Sequence, residues 1–147
     1  MNPVYLVLSL LAGAILPLQA ALNAGLASQT TGPLFTTVMN FALALMFLVI
    51  ALVVMRVPLP MFAVASSVPW FYWCGGFLGM FFVMTTMVIA PKLGAAFMVA
   101  LIIGGQIAAS LVFDHYGWLG YRVHEINWGR IAGAGCLLAG IYLVYKY

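Results

Sequence analysis

Charge is the scarcest property of this 147-residue chain: 5% of its residues are charged, against 67% that are hydrophobic. A soluble domain is about one-quarter charged, so these few charges cannot cover a surface exposed to water. Intrinsic disorder is excluded for a related reason, since disordered chains are poor in hydrophobic residues and rich in charge. The composition therefore predicts an integral membrane protein whose surroundings are a lipid bilayer.

Several kinds of site are also missing. The five basic residues are scattered, so there is no basic patch for nucleic acid, and no nucleic-acid partner is expected. No CxxC, HExxH, GxGxxG or P-loop spacing occurs, and Cys74 and Cys136 both lie in apolar runs, which favours packed thiols. We expect no cofactor, no metal and no enzymatic activity. A metal site in the polar loop is an alternative without reliable ligand spacing, and it would use Asp114, His115, His124 and Glu125.

Five apolar runs are long enough to cross a bilayer, which takes roughly 20 residues of helix. The first run has no basic segment before it and is longer than the apolar part of a signal peptide, so we interpret it as a membrane helix. We predict a single all-α domain over residues 1–147, with five transmembrane helices at about 3–27, 34–55, 69–90, 95–113 and 128–145. Residues 57–68 are expected at the membrane interface. A four-helix arrangement with one re-entrant segment is the alternative.

The basic residues hardly specify which way these helices insert. Five spans place the two ends of the chain on opposite sides, with Arg56, Arg122 and Arg130 on one side and Lys92 and Lys146 on the other. Orientation follows the Lys/Arg bias of short loops, and three against two is almost no bias. Two interpretations stay open: a weak bias that suffices, or insertion in both orientations followed by pairing of inverted copies.

Polar groups inside the first helix are the strongest functional signal. Pro17 lacks the N–H that would bond to the carbonyl of Gly13, which predicts a kink, and a carbonyl freed in lipid needs another partner or a wet cavity. Gln19 and Asn23 are four residues apart, so their amides share one helix face. Such a face lines the substrate pathway in transporters with broken helices. The alternative is that the amides only hold helices together, worth about 0.6 kcal/mol each.

A second polar stripe lies on the fourth helix, where Gln106, Ser110 and Asp114 are spaced by four residues. The stripe is about 12 Å long. A lipid-facing amide would be expensive, so Gln106 is expected to face the helix bundle, and Gln106 and Ser110 are candidates for lining the substrate pathway. Asp114 and His115 are candidates for a gate or a proton-linked step, and the alternative for Asp114 is a helix end in water. No Asp or Glu lies in mid-span, which argues against cation exchange through a buried carboxylate.

Small residues predict close helix packing. GxxxG patterns are formed by Gly75 and Gly79 on the third helix and by Gly129 and Gly133 on the fifth. On the fourth helix, small residues recur every four positions and form a smooth ridge at Ala96, Ala100, Gly104 and Ala108. Together these patterns indicate that most of the helices touch protein, which can include a second copy of the chain.

Four ordered motifs extend over nearly the whole chain: Gly13-xxx-Pro17-x-Gln19-xxx-Asn23, Gly75-Gly76-xx-Gly79, Ala90-Pro91-x-Leu93-Gly94-Ala95-Ala96 and Gly105-Gln106-xxx-Ser110-xxx-Asp114-His115-x-Gly117. This set resembles the YdcZ family of bacterial inner-membrane proteins, in the drug/metabolite transporter superfamily. The resemblance implies a five-helix unit that pairs antiparallel with a second unit, either as separate chains or fused in tandem. It implies no substrate. Related drug exporters carry a membrane carboxylate in the region of Gln19, which argues against drug–proton exchange here.

Two functional hypotheses result. The first is a secondary transporter of a small solute that works by alternating access as an antiparallel homodimer. Its midplane site would be lined by Gln19 and Asn23, with Gln106 nearby. Amides bind through hydrogen bonds without fixed charge, which favours a neutral or zwitterionic solute. The second hypothesis is a non-transporting membrane subunit whose GxxxG faces dock another protein.

Overall fold

In the computed structural model, which describes residues 2–58 and 67–147, the chain forms five helices that are long and apolar enough to cross a bilayer. They are α1 (Pro3–Ser28), α2 (Pro33–Val54), α3 (Cys74–Leu93), α4 (Ala95–Tyr116) and α5 (Trp128–Lys146). The prediction of an all-α chain with five spans is confirmed. Most of the segment expected at the membrane interface lies outside the described residues.

Large apolar side chains point outward on every helix. Leu10 on α1 is 75% exposed and Val54 on α2 is 74% exposed, and the same pattern holds along the other three helices. A helix that is apolar all round has to be surrounded by protein or lipid. These exposed surfaces therefore match the bilayer environment that the composition predicts.

The third helix begins and ends later than the sequence-based bounds. A 3₁₀ turn, Trp70–Trp73, occupies the start predicted at residue 69, and the regular α-helix begins only at Cys74; such turns are frequent at helix N-termini. At the other end, α3 passes through Pro91 to Leu93 instead of stopping at residue 90. Proline has a helical φ but cannot donate to the carbonyl four residues earlier, here that of Met87, and the helix ends two residues after Pro91. Gly94, with φ 77°, separates α3 from α4.

The fourth helix is three residues longer than predicted, because its end is set by Gly117 and not by the first charged residue. Gly117 adopts a left-handed conformation (φ 62°, ψ 29°) and its N–H donates to the carbonyl of Phe113. This is a common way for a helix to end. Asp114 and His115 consequently belong to the last turn of α4 and not to the polar loop after it.

The chain forms two compact units, and the division falls within α1, directly after Pro17. The first unit contains the chain up to Pro17 together with Lys92–Tyr147, and the second contains Leu18–Pro91. The α1 helix itself is continuous through Pro17. The kink predicted from Gly13 and Pro17 stays a prediction.

In the first unit, α4 packs along α5 through the small-residue ridge. A Cβ atom added to Gly104 would lie 2.7 Å from Ile141 Cδ1, so only glycine allows this close approach without a shift of Ile141. About two helix turns before Gly104, the ring of Phe97 lies 5.0 Å from the ring of Tyr145 on α5. The ridge predicted on the fourth helix therefore meets α5 at Gly104.

Among its described residues, the core of the second unit is small and partly polar. The buried side chains there are Ala20, Asn23, Thr36, Thr37, Thr86 and Met87. Thr37 donates to the carbonyl of Pro33 at 2.8 Å, and Thr86 donates to the carbonyl of Val83 at 3.0 Å. Hydroxyls that bond to their own helix backbone satisfy their polar atoms locally. These two threonines can therefore be buried without a partner on another helix.

Candidate functional site

The amide of Asn23 is paired across two helices. Asn40 Nδ2 on α2 donates to Asn23 Oδ1 on α1 at 2.9 Å, and Asn23 is only 9% exposed. Buried polar groups are almost always hydrogen-bonded, so this bond explains how an amide is accommodated there. It leaves the Asn23 NH₂ group and the Asn40 carbonyl oxygen to make further bonds. Sequence reasoning placed Asn23 beside Gln19 but did not find Asn40 as its partner.

The polar contacts continue from this pair toward the connection between α1 and α2. The Oγ1 atoms of Thr30 and Thr36 lie 3.0 Å apart, and Thr36 is fully buried. Thr36 and Asn40 are four residues apart and therefore share one face of α2. Gln19 and Asn23 have the same four-residue spacing on α1. The spacing of Thr36 and Asn40 is therefore the sequence signal that could have identified the polar face of α2.

Gln19 differs from Asn23 although both are on the same face of α1. Its side chain is exposed, and it makes no hydrogen bond with any residue of 2–58 or 67–147. A carboxamide both donates and accepts, so Gln19 offers its full hydrogen-bonding capacity. The α1 face thus carries one free amide one turn away from a paired and buried one.

The stripe predicted on α4 contains three different environments. Gln106 is exposed, and within the described ranges its side chain has no hydrogen-bond partner. Ser110 is exposed too, but its Oγ donates to the carbonyl of Ile107 at 3.0 Å, so its hydroxyl is used by its own helix. Asp114 is part-buried and paired with Arg130. Gln106 is the member of the stripe that is free to bind.

Asp114 and Arg130 join the end of α4 to the start of α5. Arg130 Nη2 lies 2.6 Å from Asp114 Oδ2, with side-chain exposures of 31% and 24% respectively. Arg130 Nη1 also donates to the carbonyl of His124 at 2.9 Å, and the His124 N–H donates to the carbonyl of Asp114 at 2.9 Å. The guanidinium, the carboxylate and the backbone of the connecting segment form one closed network. Sequence reasoning treated Arg130 only as an orientation charge and missed this role.

Two further contacts hold the same connection. Asn127 caps α5, because its side-chain oxygen accepts from the Arg130 N–H at 3.0 Å. His115 Nδ1 accepts from the Ile126 N–H at 3.4 Å. Asn127 therefore helps to place Arg130 opposite Asp114, while His115 contacts the backbone and leaves its other ring nitrogen available. The two gate candidates of the sequence, Asp114 and His115, are both brought into this network.

The structure does not gather metal ligands in the polar connection. Over the described residues, no three His, Cys, Asp or Glu side chains come close enough to hold one metal ion. Both cysteines, Cys74 and Cys136, are free thiols. Asp114 instead uses its carboxylate for Arg130, and His115 uses Nδ1 for a backbone N–H.

The GxxxG glycines face open space within a single chain. Among the described atoms, nothing lies within 4 Å of a Cβ added at Gly75, Gly79 or Gly133, and beside Gly129 the nearest atom is the oxygen of the Asn127 cap. Among the described residues, no other helix packs against Gly75, Gly79 or Gly133. The packing role of these glycines stays a prediction.

Residues 4–143 match the protein family described as "Putative inner membrane exporter, YdcZ". The chain belongs to the YdcZ family. The resemblance carried by the sequence motifs is therefore confirmed, and the matched range contains every polar residue of the candidate site described above. No curated protein and no solved structure matches the chain.

Family membership and the five apolar helices together make this YdcZ-family chain a multi-pass inner-membrane protein. The family description names an exporter, which supports a transport role and is not an enzyme class. It names no solute. The chemistry of the solute has to be argued from the amides of α1 and α2.

Proposed function

We propose that the chain is a secondary transporter that moves a small neutral or zwitterionic solute across the inner membrane. The observation that carries the proposal is the free amide of Gln19 beside the buried Asn23–Asn40 pair. This arrangement is a polar surface within an apolar helix, and it presents unused donors and acceptors. The family description as an exporter supports the same role.

The charge of the solute follows from the groups that would bind it. Gln19, Asn23 and Asn40 are uncharged, and the carboxylate and guanidinium of Asp114 and Arg130 are paired with each other at helix ends. A bare cation in mid-membrane would need a compensating negative charge. A solute that carries both donors and acceptors, but no net charge, fits three carboxamides.

The transport cycle we propose is alternating access in an inverted homodimer. The near-equal division of basic residues allows insertion in both orientations, and two inverted copies would place equivalent surfaces toward opposite sides of the membrane. The two halves then exchange conformations around a site near the midplane. The chain would act as one five-helix domain in each half.

In this cycle, the Asp114–Arg130 pair is a gate at the mouth of the pathway, with His115 beside it. The pair joins α4 to α5, so its opening would let the ends of these helices separate. Ion pairs that are partly solvated exchange easily, since each is worth only about 1 kcal/mol or less. Such a contact is suited to being made and broken during each cycle.

Water access at Gln19 tests the pathway. In a variant that lacks both native cysteines (C74A/C136A), Gln19→Cys should react with a polar, membrane-impermeant thiol reagent. Leu22→Cys is the matched control, because Leu22 lies on the same helix and its apolar side chain is 64% exposed. Reaction at residue 19 and not at 22 supports a wet pathway. Equal protection of both positions would remove Gln19 from it.

Transport itself is measured in proteoliposomes with a panel of radiolabelled neutral amino acids and polyols. Gln19→Ala is expected to lower uptake of the accepted solute at least tenfold without loss of folded protein. Ser9→Ala is the control, because the Ser9 hydroxyl is exposed and bonds only to the carbonyl of Tyr5. Unchanged uptake in Gln19→Ala would contradict the proposed site.

The alternative function is a non-transporting membrane subunit. The observation in its favour is the open space beside Gly75, Gly79 and Gly133, because small-residue faces dock other helices. Under this hypothesis Gly133→Leu abolishes association with the partner while Gln19→Cys stays unreactive. Under the transporter hypothesis, the Gln19→Cys thiol reacts.

A topology assay tests dual insertion. Reporters that are active on only one side of the membrane are fused to the C-terminus, one reporter per fusion. Comparable activity from both types supports insertion in both orientations. Activity from one type alone would exclude an inverted dimer made from a single gene.

A further inference from the structure

Gln106 lies at the centre of its helix. In α4, Ala95–Tyr116, eleven residues precede it and ten follow it. At 1.5 Å per residue its Cα atom is within about 1 Å of the helix midpoint. A span of this length crosses the hydrocarbon core of a bilayer, which is about 30 Å thick. Gln106 is therefore close to the membrane midplane.

The side chain of Gln106 points away from α5. Gly104 marks the α5 side of α4, since an added Cβ there would contact Ile141. Two residues further along an α-helix correspond to a rotation of about 200°. Gln106 therefore lies on the opposite side of α4, where it is exposed and, among the described residues, has no hydrogen bond.

An unpaired carboxamide at this depth is unfavourable. Unsatisfied polar groups in hydrocarbon cost several kcal/mol, and a side chain about 5 Å long cannot reach headgroups that begin about 15 Å away. The amide must consequently find a partner at the same depth. That partner has to offer both a donor and an acceptor to satisfy it fully.

We propose that the partner is Gln106 of a second copy, paired across a two-fold axis that lies in the membrane plane. This inference rests on the inverted homodimer proposed above and adds the residue at its centre. Inversion sends a residue above the midplane to the same distance below it, so only a midplane residue can meet its own copy. Two carboxamides related by the axis can each donate to the other. A two-fold interface is self-complementary in this way.

The other intramembrane amides do not meet this condition. Gln19 is about 5 Å and Asn23 about 11 Å from the midpoint of α1 along its axis, and Asn23 already has a partner on α2. Inversion would carry each of them away from its own copy. In an inverted dimer, Gln19 and Asn23 of one copy would lie on one side of the midplane and those of the second copy on the other side, available to the solute. Gln106 would join the two chains.

The same geometry specifies the neighbours of Gln106 across the interface. Ile103 and Ser110 lie one turn to either side of it, on the same face of α4, and both are exposed. In an inverted pair, Ile103 of one copy is opposite Ser110 of the partner subunit. In a parallel pair, each residue would instead be opposite its own equivalent.

Disulfide crosslinking in native membranes tests the proposal. In the C74A/C136A background, Gln106→Cys treated with copper phenanthroline should give a covalent dimer in most of the chains. Gly105→Cys is the matched control, since it has nearly the same depth but lies about 100° away around the helix. No dimer with Gln106→Cys, or equal yields from both variants, would overturn the proposal.

A mixed experiment distinguishes inverted from parallel pairing. Differently tagged chains that carry Ile103→Cys and Ser110→Cys are coexpressed and oxidised. Inverted pairing predicts the mixed 103–110 product and little 103–103 or 110–110 product. Predominance of the two self-products would overturn the proposal in favour of a parallel dimer.

The failure of this inference can be separated from the failure of the proposed function. Dual activity of the topology reporters without a Gln106→Cys dimer rejects the contact but keeps the inverted arrangement. Reporter activity on one side alone rejects both. As an energetic check, Gln106→Leu should raise the dissociation constant of the detergent-solubilised dimer about tenfold, as two interhelical hydrogen bonds of about 0.6 kcal/mol imply, while Gly105→Leu leaves it unchanged.

Discussion

Arg130 Nη2 donates to Asp114 Oδ2 at 2.6 Å, so the first turn of α5 is tied to the last turn of α4. The same guanidinium binds the carbonyl of His124, and the N–H of His124 returns to the carbonyl of Asp114. The connection between these helices is therefore held by side chains and backbone together. A chain with two acidic residues in total uses one of them here.

Breaking this ion pair should weaken the hairpin of α4 and α5. Arg130→Gln or Asp114→Asn is expected to lower the free energy of unfolding by about 1 kcal/mol, since the pair is partly exposed. The double variant should cost less than the sum of the two single changes, because each removes the same contact. Unfolding by SDS titration in mixed micelles measures all three. Arg122→Gln is the control, and additive losses would contradict the coupling.

The amide pair of α1 and α2 makes a sharper prediction. Asn40→Leu should lower the free energy of unfolding by about 1–2 kcal/mol, because it leaves the Asn23 oxygen buried without its donor. Replacing both residues with Leu should cost less than Asn40→Leu alone, since no orphaned amide remains. The same SDS titration applies, with Gln19→Leu as the control on an exposed amide. A larger loss in the double variant would contradict a pairing role.

Gly117 should not tolerate a side chain. Its φ is 62°, and an added Cβ would lie 2.7 Å from Val123 Cγ2. Gly117→Ala is expected to lower the free energy of unfolding by about 1–2 kcal/mol from the left-handed conformation alone. Val123→Ala in the same chain should recover only the steric part of the loss. Gly135→Ala is the control, because that glycine is helical and has open space around it.

The N-cap of α5 gives a fourth prediction. Asn127→Ala removes the oxygen that accepts from the Arg130 N–H and should cost about 1 kcal/mol. Asn127→Ser keeps an acceptor and should restore most of the loss. The thermal midpoint of the detergent-solubilised protein is the measurement. Equal midpoints for the Ala and Ser variants would show that the cap contributes nothing.

The parts of the fold that depend on one helix at a time could be predicted from the sequence. Apolar length gives the spans, and the spacing of Gln19 and Asn23 gives a shared face. The helix ends were less predictable. Pro91 was expected to end the third helix at residue 90, but α3 includes Pro91 and continues to Leu93. Gly117, not Asp114, ends α4, and this becomes evident only when the left-handed φ of Gly117 is seen.

The parts that depend on two helices could not be predicted. Asn23 and Gln19 have the same chemistry and share a face, yet one is buried and bonded to Asn40 while the other is free. The difference arises because α2 packs against Asn23 and not against Gln19. The spacing of residues along α1 carries no information about the position of α2. Likewise, Asp114 and Arg130 are 16 positions apart, and only the course of the connecting segment brings them together.

The two side-chain contacts between helices join residues that are close along the chain. Asn23 and Asn40 are 17 residues apart, and Asp114 and Arg130 are 16 residues apart. Closing a short loop loses little entropy, and domains made on the ribosome fold from the N-terminal end first. The hydrogen bond between Asn23 and Asn40 can therefore form while α4 and α5 are still being synthesised. Neither contact requires a distant part of the chain before it can form.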